Sequence, residues 1–392
     1  MDIKRVVVIV LDGVGAGEAP DANIYGDVGS NSLANTARVV GGLKLPNMGK
    51  LGIGHITDIL GVPPDDHPTG CYGKMQPRSA GKDTISGHWE LMGIYLPTPL
   101  PTYPNGFPES IIQEFRRRTG KDVLGNKPAS GTEIIKELGL EHIRTGKPIV
   151  YTSADSVFQI AAHEQVIPIQ EQYRMCEISR QILSGEHAVG RVIARPFLGE
   201  TPDNFRRTER RKDYPLLPES DTMLDKIAGA GKTVYSIGKI DDIFGRRGIT
   251  KGKHTVSNHD STLALLDALN EDFEGILFAN LIEFDMIFGH RNDARGYADA
   301  LEAFDRAVPE LQQRMRDTDI TMVVADHGVD PTTPGTDHSR ENIPLLVFGP
   351  QVTSNASLGV RKTFSDVAAT IAELFSLRPP EFGASFVGEL ER

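Results

Sequence analysis

The stretch DITMVVADHG, residues 319–328, is a run of apolar and β-branched residues that ends abruptly in an aspartate, a histidine and a glycine. Such a run is too short for a membrane span and reads as a buried strand of a parallel sheet. Four others share its character: RVVVIVLD (5–12), KTVYSIG (232–238), GILFANLIEFD (275–285) and IPLLVFGP (343–350). Helical spacing fills the gaps between several of them. STLALLDALNEDF (261–273) is one such segment. GYADALEAFDRAVPELQQRMRD (296–317) is another, with a proline expected to kink or restart it, and TFSDVAATIAELFSL (363–377) opens with Ser365 as its expected N-cap. Strands alternating with helices predict an α/β fold with a mostly parallel sheet.

The middle of the chain has another texture. PTPLPTYPNGFPE begins near residue 97 and ERRKDYPLLPES ends at residue 220, both with the proline content of stiff exposed connections. Between them lie PIVYTSAD (148–155) and GRVIARPF (190–197). We expect a smaller α/β domain over 98–220, inserted into a core made of 1–97 and 221–392. No internal repeat is evident.

The chain has 392 residues, with 42 basic and 53 acidic side chains and a net charge of −11. That balance argues against general binding to a nucleic-acid backbone, though a local basic patch could hold one small anion. No stretch approaches the ~18 apolar residues of a membrane span. The N-terminal MDIKRVVVIVLD reads as a first strand and not as a signal peptide. Cys71 and Cys176 form no CxxC pair, and free thiols in the cytosol are expected.

Three of the strands end in unusual chemistry: Asp12 after the first, Asp285 and His290 in LIEFDMIFGH, and Asp326, His327 and His338 in VVADHGVDPTTPGTDH. Ligands of open parallel sheets bind beyond the carboxyl ends of the strands. Three carboxylates meeting there need cations to stay ionised together. A mixed oxygen and nitrogen set suits Mn²⁺, Zn²⁺ or Fe better than calcium. Six ligands suffice for two metal ions about 4 Å apart, the arrangement of many phosphoryl-transfer centres. GKDTISGHWE (81–90) adds two hydroxyls, Thr84 and Ser86. A metal ion lowers the pKa of a hydroxyl enough to make it a nucleophile.

LDGVGAGEAPDA, GKDTISGHWE, FDMIFGHRND, ADHG and PGTDHSRENIPLL, in this order, resemble the motifs of the phosphopentomutases, in the alkaline phosphatase superfamily. The resemblance implies an alkaline-phosphatase-like α/β/α sandwich with an inserted α/β cap. It implies a phosphorylated Thr84 between two divalent metal ions, usually manganese. Asp12, Asp326 and His327 would hold one ion; Asp285, His290 and His338 would hold the other. TISGH also fits the hydroxyl–x–x–Gly–His spacing of related phosphoglycerate mutases at Thr84, leaving Ser86 to satisfy a turn amide. The implied reaction interconverts ribose 1-phosphate and ribose 5-phosphate, or their 2-deoxy forms, through a pentose 1,5-bisphosphate that also serves as primer. Ser153, Asp155, Arg195, Arg206 and Lys239 would bind the sugar phosphate, and Lys82 would help neutralise charge. Arg191 and Arg207 are further arginines of the insert suited to phosphate. The expected partners are small sugar phosphates only, with no nucleic acid and no membrane, and the chain is expected to be a monomer. A phosphatase or phosphodiesterase of the same superfamily and an inactive metal-binding module are the alternatives. The sequence departs from the usual motifs at Gly13, where Ser is expected, at Val329, where Asn is common, and at Glu283, where Asp is common.

Overall fold

A computed structural model describes residues 1–153 and 155–391. The chain forms two compact units, Met1–Pro99 with Pro218–Arg392 and Leu100–Leu217. In chain order the first unit contributes β1 (Arg5–Leu11) and β2 (Cys71–Met75). The second contributes β3 (Leu124–Pro128), β4 (Ile149–Thr152), β5 (Val157–His163), β6 (Arg191–Leu198), β7 (Arg206–Arg207) and β8 (Lys212–Pro215). The first unit then resumes with β9 (Thr233–Ile237), β10 (Lys251–Lys253), β11 (Gly275–Leu281), β12 (Asp319–Val324), β13 (Ile343–Phe348) and β14 (Ala356–Arg361).

Among the described residues the first unit holds an eight-stranded sheet in the order β10-β9-β11-β1-β12-β13-β2-β14. Every residue of β1, β11, β12 and β13 is buried, which is why these segments are near-continuous apolar runs, broken by Arg5, Asn280, Asp319 and Thr321, rather than alternating. The β10-to-β12 half is parallel. β13 corrects the sequence reading: it runs antiparallel to both β12 and β2. An apolar run buried on both faces carries no mark of direction. The helices pack in two sets, one around Asn258–Leu269 and Ala294–Arg314, the other around Thr84–Leu91, Met223–Gly229 and Asp366–Leu374. This is an α/β/α sandwich.

One local expectation is also corrected and another is qualified. Pro309 does not break its helix, which runs unbroken from Ala294 to Arg314. Proline at 309 strips the Asp305 carbonyl of its usual helical donor, and the Asn47 side-chain amide supplies one instead at 3.0 Å. Ser365 does hold the N-cap position of the helix Asp366–Leu374, but its side chain makes no cap hydrogen bond; its hydroxyl donates to the Glu90 carbonyl at 2.9 Å.

The second unit carries a sheet in the order β3-β4-β5-β6-β7, with β8 paired to β6. Phe107, Phe115, Phe158 and Ile160 centre one apolar cluster, and Ile134, Ile135, Tyr151 and Phe197 centre another.

Candidate active site

The register of the parallel strands explains why distant residues meet. Leu11 pairs with Leu281 and Val10 with Val324, so β11, β1 and β12 end side by side. Asp12 follows β1 at once and Asp326 lies two residues beyond β12. Asp285 rides on a wide π-type turn, Phe284–Phe288, and His290 on the turn after it. Asp12, Asp326 and His327 are nearly fully buried, at 4%, 1% and 3% exposure.

Ligand atoms of Asp12, Asp326 and His327 all lie within 4.8 Å of one another, as do those of Asp285, His327 and His338. His290 joins the second set, with Nε2 3.3 Å from Asp285 Oδ1. His327 therefore stands between the two sets, with its ring stacked on His338 at 4.0 Å. Its Nε2 is 3.4 Å from Asp12 Oδ1, 3.3 Å from Asp326 Oδ2 and 3.2 Å from Thr84 Oγ1.

The hydrogen bonds show what this arrangement needs. His290 Nδ1 faces the Thr336 carbonyl at 2.6 Å, and His327 Nδ1 faces the Gly328 carbonyl at 3.0 Å. A carbonyl accepts, so the proton sits on Nδ1 and the Nε2 lone pairs point at carboxylate oxygens. Acceptor against acceptor is reconciled by a proton on Nε2 or by a metal cation in its place. Asp12 Oδ1, Asp285 Oδ1, Asp326 Oδ2 and His338 Nε2 are buried and make no hydrogen bond. Burial and Asp326 push the Asp12 carboxyl above its usual range. Burial disfavours a charged His327, yet Asp326, Asp12 and Asp285 outweigh it and hold its pKa well above that of a free imidazole. Contact with Asp285 raises His290 to about 9. The donor set fits divalent metal ions.

Thr84 is the first residue of the helix Thr84–Leu91, which Asp83 caps by accepting from the amides of Ile85 and Ser86 at 3.1 Å each. The helix reaches the strand end because residue 87 is glycine: a Cβ there would lie 2.0 Å from the Asp326 carbonyl oxygen. Ser86 does not serve a turn amide as expected. It is buried and its hydroxyl donates to Asp83 Oδ2 at 2.6 Å. Lys82 is tied to Asp27 at 3.1 Å and Asp337 at 3.4 Å.

Two residues of the site escaped the sequence reading. His88 Nδ1 lies 2.9 Å from the Thr84 carbonyl and 3.1 Å from Asp326 Oδ2. Asn280 Nδ2 donates to Asp12 Oδ2 at 2.8 Å and faces His88 Nε2 at 3.1 Å. Such outer partners orient ligands and tune their basicity. A signal existed for Asn280, a lone amide inside the apolar GILFANL.

A family model described as the Metalloenzyme superfamily matches residues 4–379. The chain is 65% identical over 391 residues to the phosphopentomutase of Herpetosiphon aurantiacus, covering 100% of both sequences. It is 57% identical over 390 residues to that of Carboxydothermus hydrogenoformans, again covering 100% of both. The chain belongs to the phosphopentomutase family. Its activity is that of a phosphopentomutase, a metalloenzyme acting on small sugar phosphates.

The residues expected to bind the sugar phosphate lie in both units. In the inserted unit Ser153, Asp155 and Arg195 line a cavity of about 200 Å³ together with Ser130, Arg191, Arg207 and Arg211. Arg206 is exposed and does not line it; Arg207, its neighbour on β7, does. Arg191 and Arg211 approach Asp213 at 3.9 and 2.7 Å. Arg195 and Arg207 have no carboxylate partner among the described residues, and Arg195 Nε donates to Gln159 at 3.0 Å. Burial, then Arg211 and Arg207, lowers Arg195 to about 10. In the core unit Lys239 ends β9's connection and lies 3.3 Å from the sulfur of Met286, next to Asp285.

Two of the departures from the usual motifs are one packing change. Gly13 has φ +83°, and a Cβ there would lie 2.5 Å from Val329 Cγ1. Glu283 touches no ligand; its Oε2 accepts the Asn258 amide at 2.6 Å.

Proposed function

We propose that Thr84 is the group that carries the phosphoryl in this phosphopentomutase. The observation that supports it is the 3.2 Å approach of Thr84 Oγ1 to Nε2 of His327, the one residue common to both donor sets. Asp12, Asp326 and His327 would hold one divalent ion, and Asp285, His290 and His338 a second; manganese suits the oxygen and nitrogen mixture. When bound, the ions neutralise the phosphoryl oxygens and stabilise the attacking and leaving oxygens in line.

Phospho-Thr84 gives its phosphoryl group to the free hydroxyl of a ribose or 2-deoxyribose monophosphate. The product is the 1,5-bisphosphate and a free threonine hydroxyl. The bisphosphate turns round, and Thr84 takes back the phosphate from the other end. A pentose 1,5-bisphosphate therefore primes an unphosphorylated chain. His88 orients Thr84 through its carbonyl and Asp326 through its carboxylate. In the inserted unit, Arg195 and Arg207 offer an anion two guanidinium forks that no carboxylate holds in a salt bridge among the described residues. Ser153 and Asp155 on the same cavity suit sugar hydroxyls, and Lys239 suits a phosphate oxygen. Arg206 is the weaker candidate for that role. Two buried free thiols suit the cytosol, and we take the working form to be a monomer.

The deciding experiment is a coupled assay of ribose 1-phosphate formation by the wild type and Thr84→Ala with Mn²⁺ and bisphosphate primer. Loss of about 10³-fold or more is expected of a missing nucleophile. Full activity in Thr84→Ala would overturn the assignment.

A further inference from the structure

Pro77–Gly81 is the strap that leads from β2 to Thr84, and its backbone is gripped from two sides. Glu90, fully buried near the far end of Thr84's own helix, accepts the amides of Arg78 at 3.0 Å and Ser79 at 2.7 Å. The opposite polarity comes from Arg340, which is 3% exposed. Its Nη1 donates to the carbonyls of Ser79 at 2.7 Å and Gly81 at 3.1 Å, and its Nη2 to that of Pro77 at 3.2 Å. Nε and Nη2 reach the Asp21 carboxylate at 3.0 and 2.9 Å. All five N–H donors of the guanidinium are thereby used. The Tyr25 ring lies under the guanidinium at 4.8 Å, and its hydroxyl donates to a carbonyl that Arg340 passes over, that of Ala80, at 2.7 Å.

Arg340 is two residues beyond His338. One loop thus carries a metal-binding imidazole and the cation that fixes the approach to the nucleophile. A buried guanidinium is costly unless fully paired, and here most of its pairing goes to the strap. We propose that Arg340 is a positioning residue: it ties the strap before Thr84 to the His338 loop and so sets the spacing between the hydroxyl and the ligands. A lysine could meet only one or two of these carbonyls and lacks the planar fork. The proposal rests on the reading of Thr84 as the nucleophile.

The test compares Arg340→Lys, Asp21→Asn and Thr84→Ala with the wild type. The readouts are kcat and KM for ribose 5-phosphate, the Mn²⁺ activation constant, and the rate of Thr84 phosphorylation from ribose 1,5-bisphosphate by intact-protein mass spectrometry. Arg340→Lys is expected to lower kcat and the phosphorylation rate together by about 10²-fold, the scale of a 1 Å misplacement, with KM within about threefold. Asp21→Asn, which leaves the arginine in place but frees one side of it, is expected to lower both by about fivefold to tenfold. A purely structural role would instead lower the melting temperature and leave kcat per folded molecule unchanged, and that result overturns the proposal. Should Arg340→Lys fail to fold, Asp21→Asn decides by the same criterion. Full activity in Thr84→Ala would sink the nucleophile itself. An inactive Thr84→Ala beside unaltered kcat in Arg340→Lys and Asp21→Asn would sink only the positioning role.

Discussion

Val329 occupies the space that a side chain at Gly13 would need: its Cγ1 lies 2.5 Å from the position of a residue-13 Cβ. Gly13 also donates its amide to Asp326 Oδ1 at 3.1 Å, so crowding here reaches a carboxylate of the proposed metal site. Gly13→Ser is expected to lower stability by about 2–3 kcal/mol, from overpacking and from the positive φ. Gly13→Ser with Val329→Ala should recover about 1 kcal/mol relative to the sum of the single changes, because only the clash is relieved. Urea denaturation of all four proteins measures the coupling, and strict additivity would refute the packing argument.

Asn280 orients Asp12, one of the proposed metal ligands. Asn280→Ala removes the 2.8 Å bond to Asp12 Oδ2 and is expected to weaken Mn²⁺ activation by about 10–100-fold. Activity should largely return at saturating Mn²⁺. An unchanged activation constant would show that Asp12 holds its orientation without the amide.

Arg207 and Arg206 are adjacent but face different surroundings, one lining the cavity of the inserted unit and the other not. Arg207→Ala is expected to raise KM for ribose 5-phosphate by about tenfold or more, the value of one charge-assisted contact of about 1.5–3 kcal/mol. Arg206→Ala should change it less than twofold. Steady-state kinetics of the two variants decide the matter, and the reverse order would return the role to Arg206.

Glu341 supplies a pH dependence. It is fully buried and accepts from Ser32 Oγ and Ser339 Oγ at 2.7 Å each and from the Ser32 amide at 2.9 Å. Burial outweighs these donors and raises its pKa from 4.5 to about 7. A raised acid binds its proton more tightly folded than unfolded. Its stabilising contribution is present below pH ~4.5 and is lost as pH climbs through about 7, by about 3 kcal/mol in all. Glu341→Gln should therefore flatten the fall in stability between pH 5 and 7, measured by urea melts at each pH. An equal slope in both proteins would show that Glu341 stays ionised.

Much of this was written plainly in the chain. Asp12, Asp285 and Asp326 stand at the ends of β-branched runs, where parallel sheets place their ligands, and His338 follows within a short loop. What stayed hidden has physical reasons. Cys71–Met75 and Ala356–Arg361 alternate or carry glycine and polar residues toward the edge of the sheet, so their strands lack the apolar signature. The direction of β13 depends on pairing partners, not on composition. Asn47 rescues the Asp305 carbonyl from 258 residues away, and no local rule could foresee an unbroken helix at Pro309. Arg207 and Arg206 are identical by type and differ only in the face of β7 they occupy. Arg340 acts through backbone carbonyls, contacts that leave no trace in residue spacing.

The strand order has a bearing on biosynthesis. β1 emerges first from the ribosome, yet both of its neighbours, β11 and β12, lie beyond residue 274. For most of translation the segment RVVVIVL has two open edges and no partner, a state prone to sticking to other extended chains. The Leu100–Leu217 unit pairs its strands only with one another and can close while the rest is still being made. The middle of a nascent chain can therefore finish folding while its first strand still waits for the partners that will flank it.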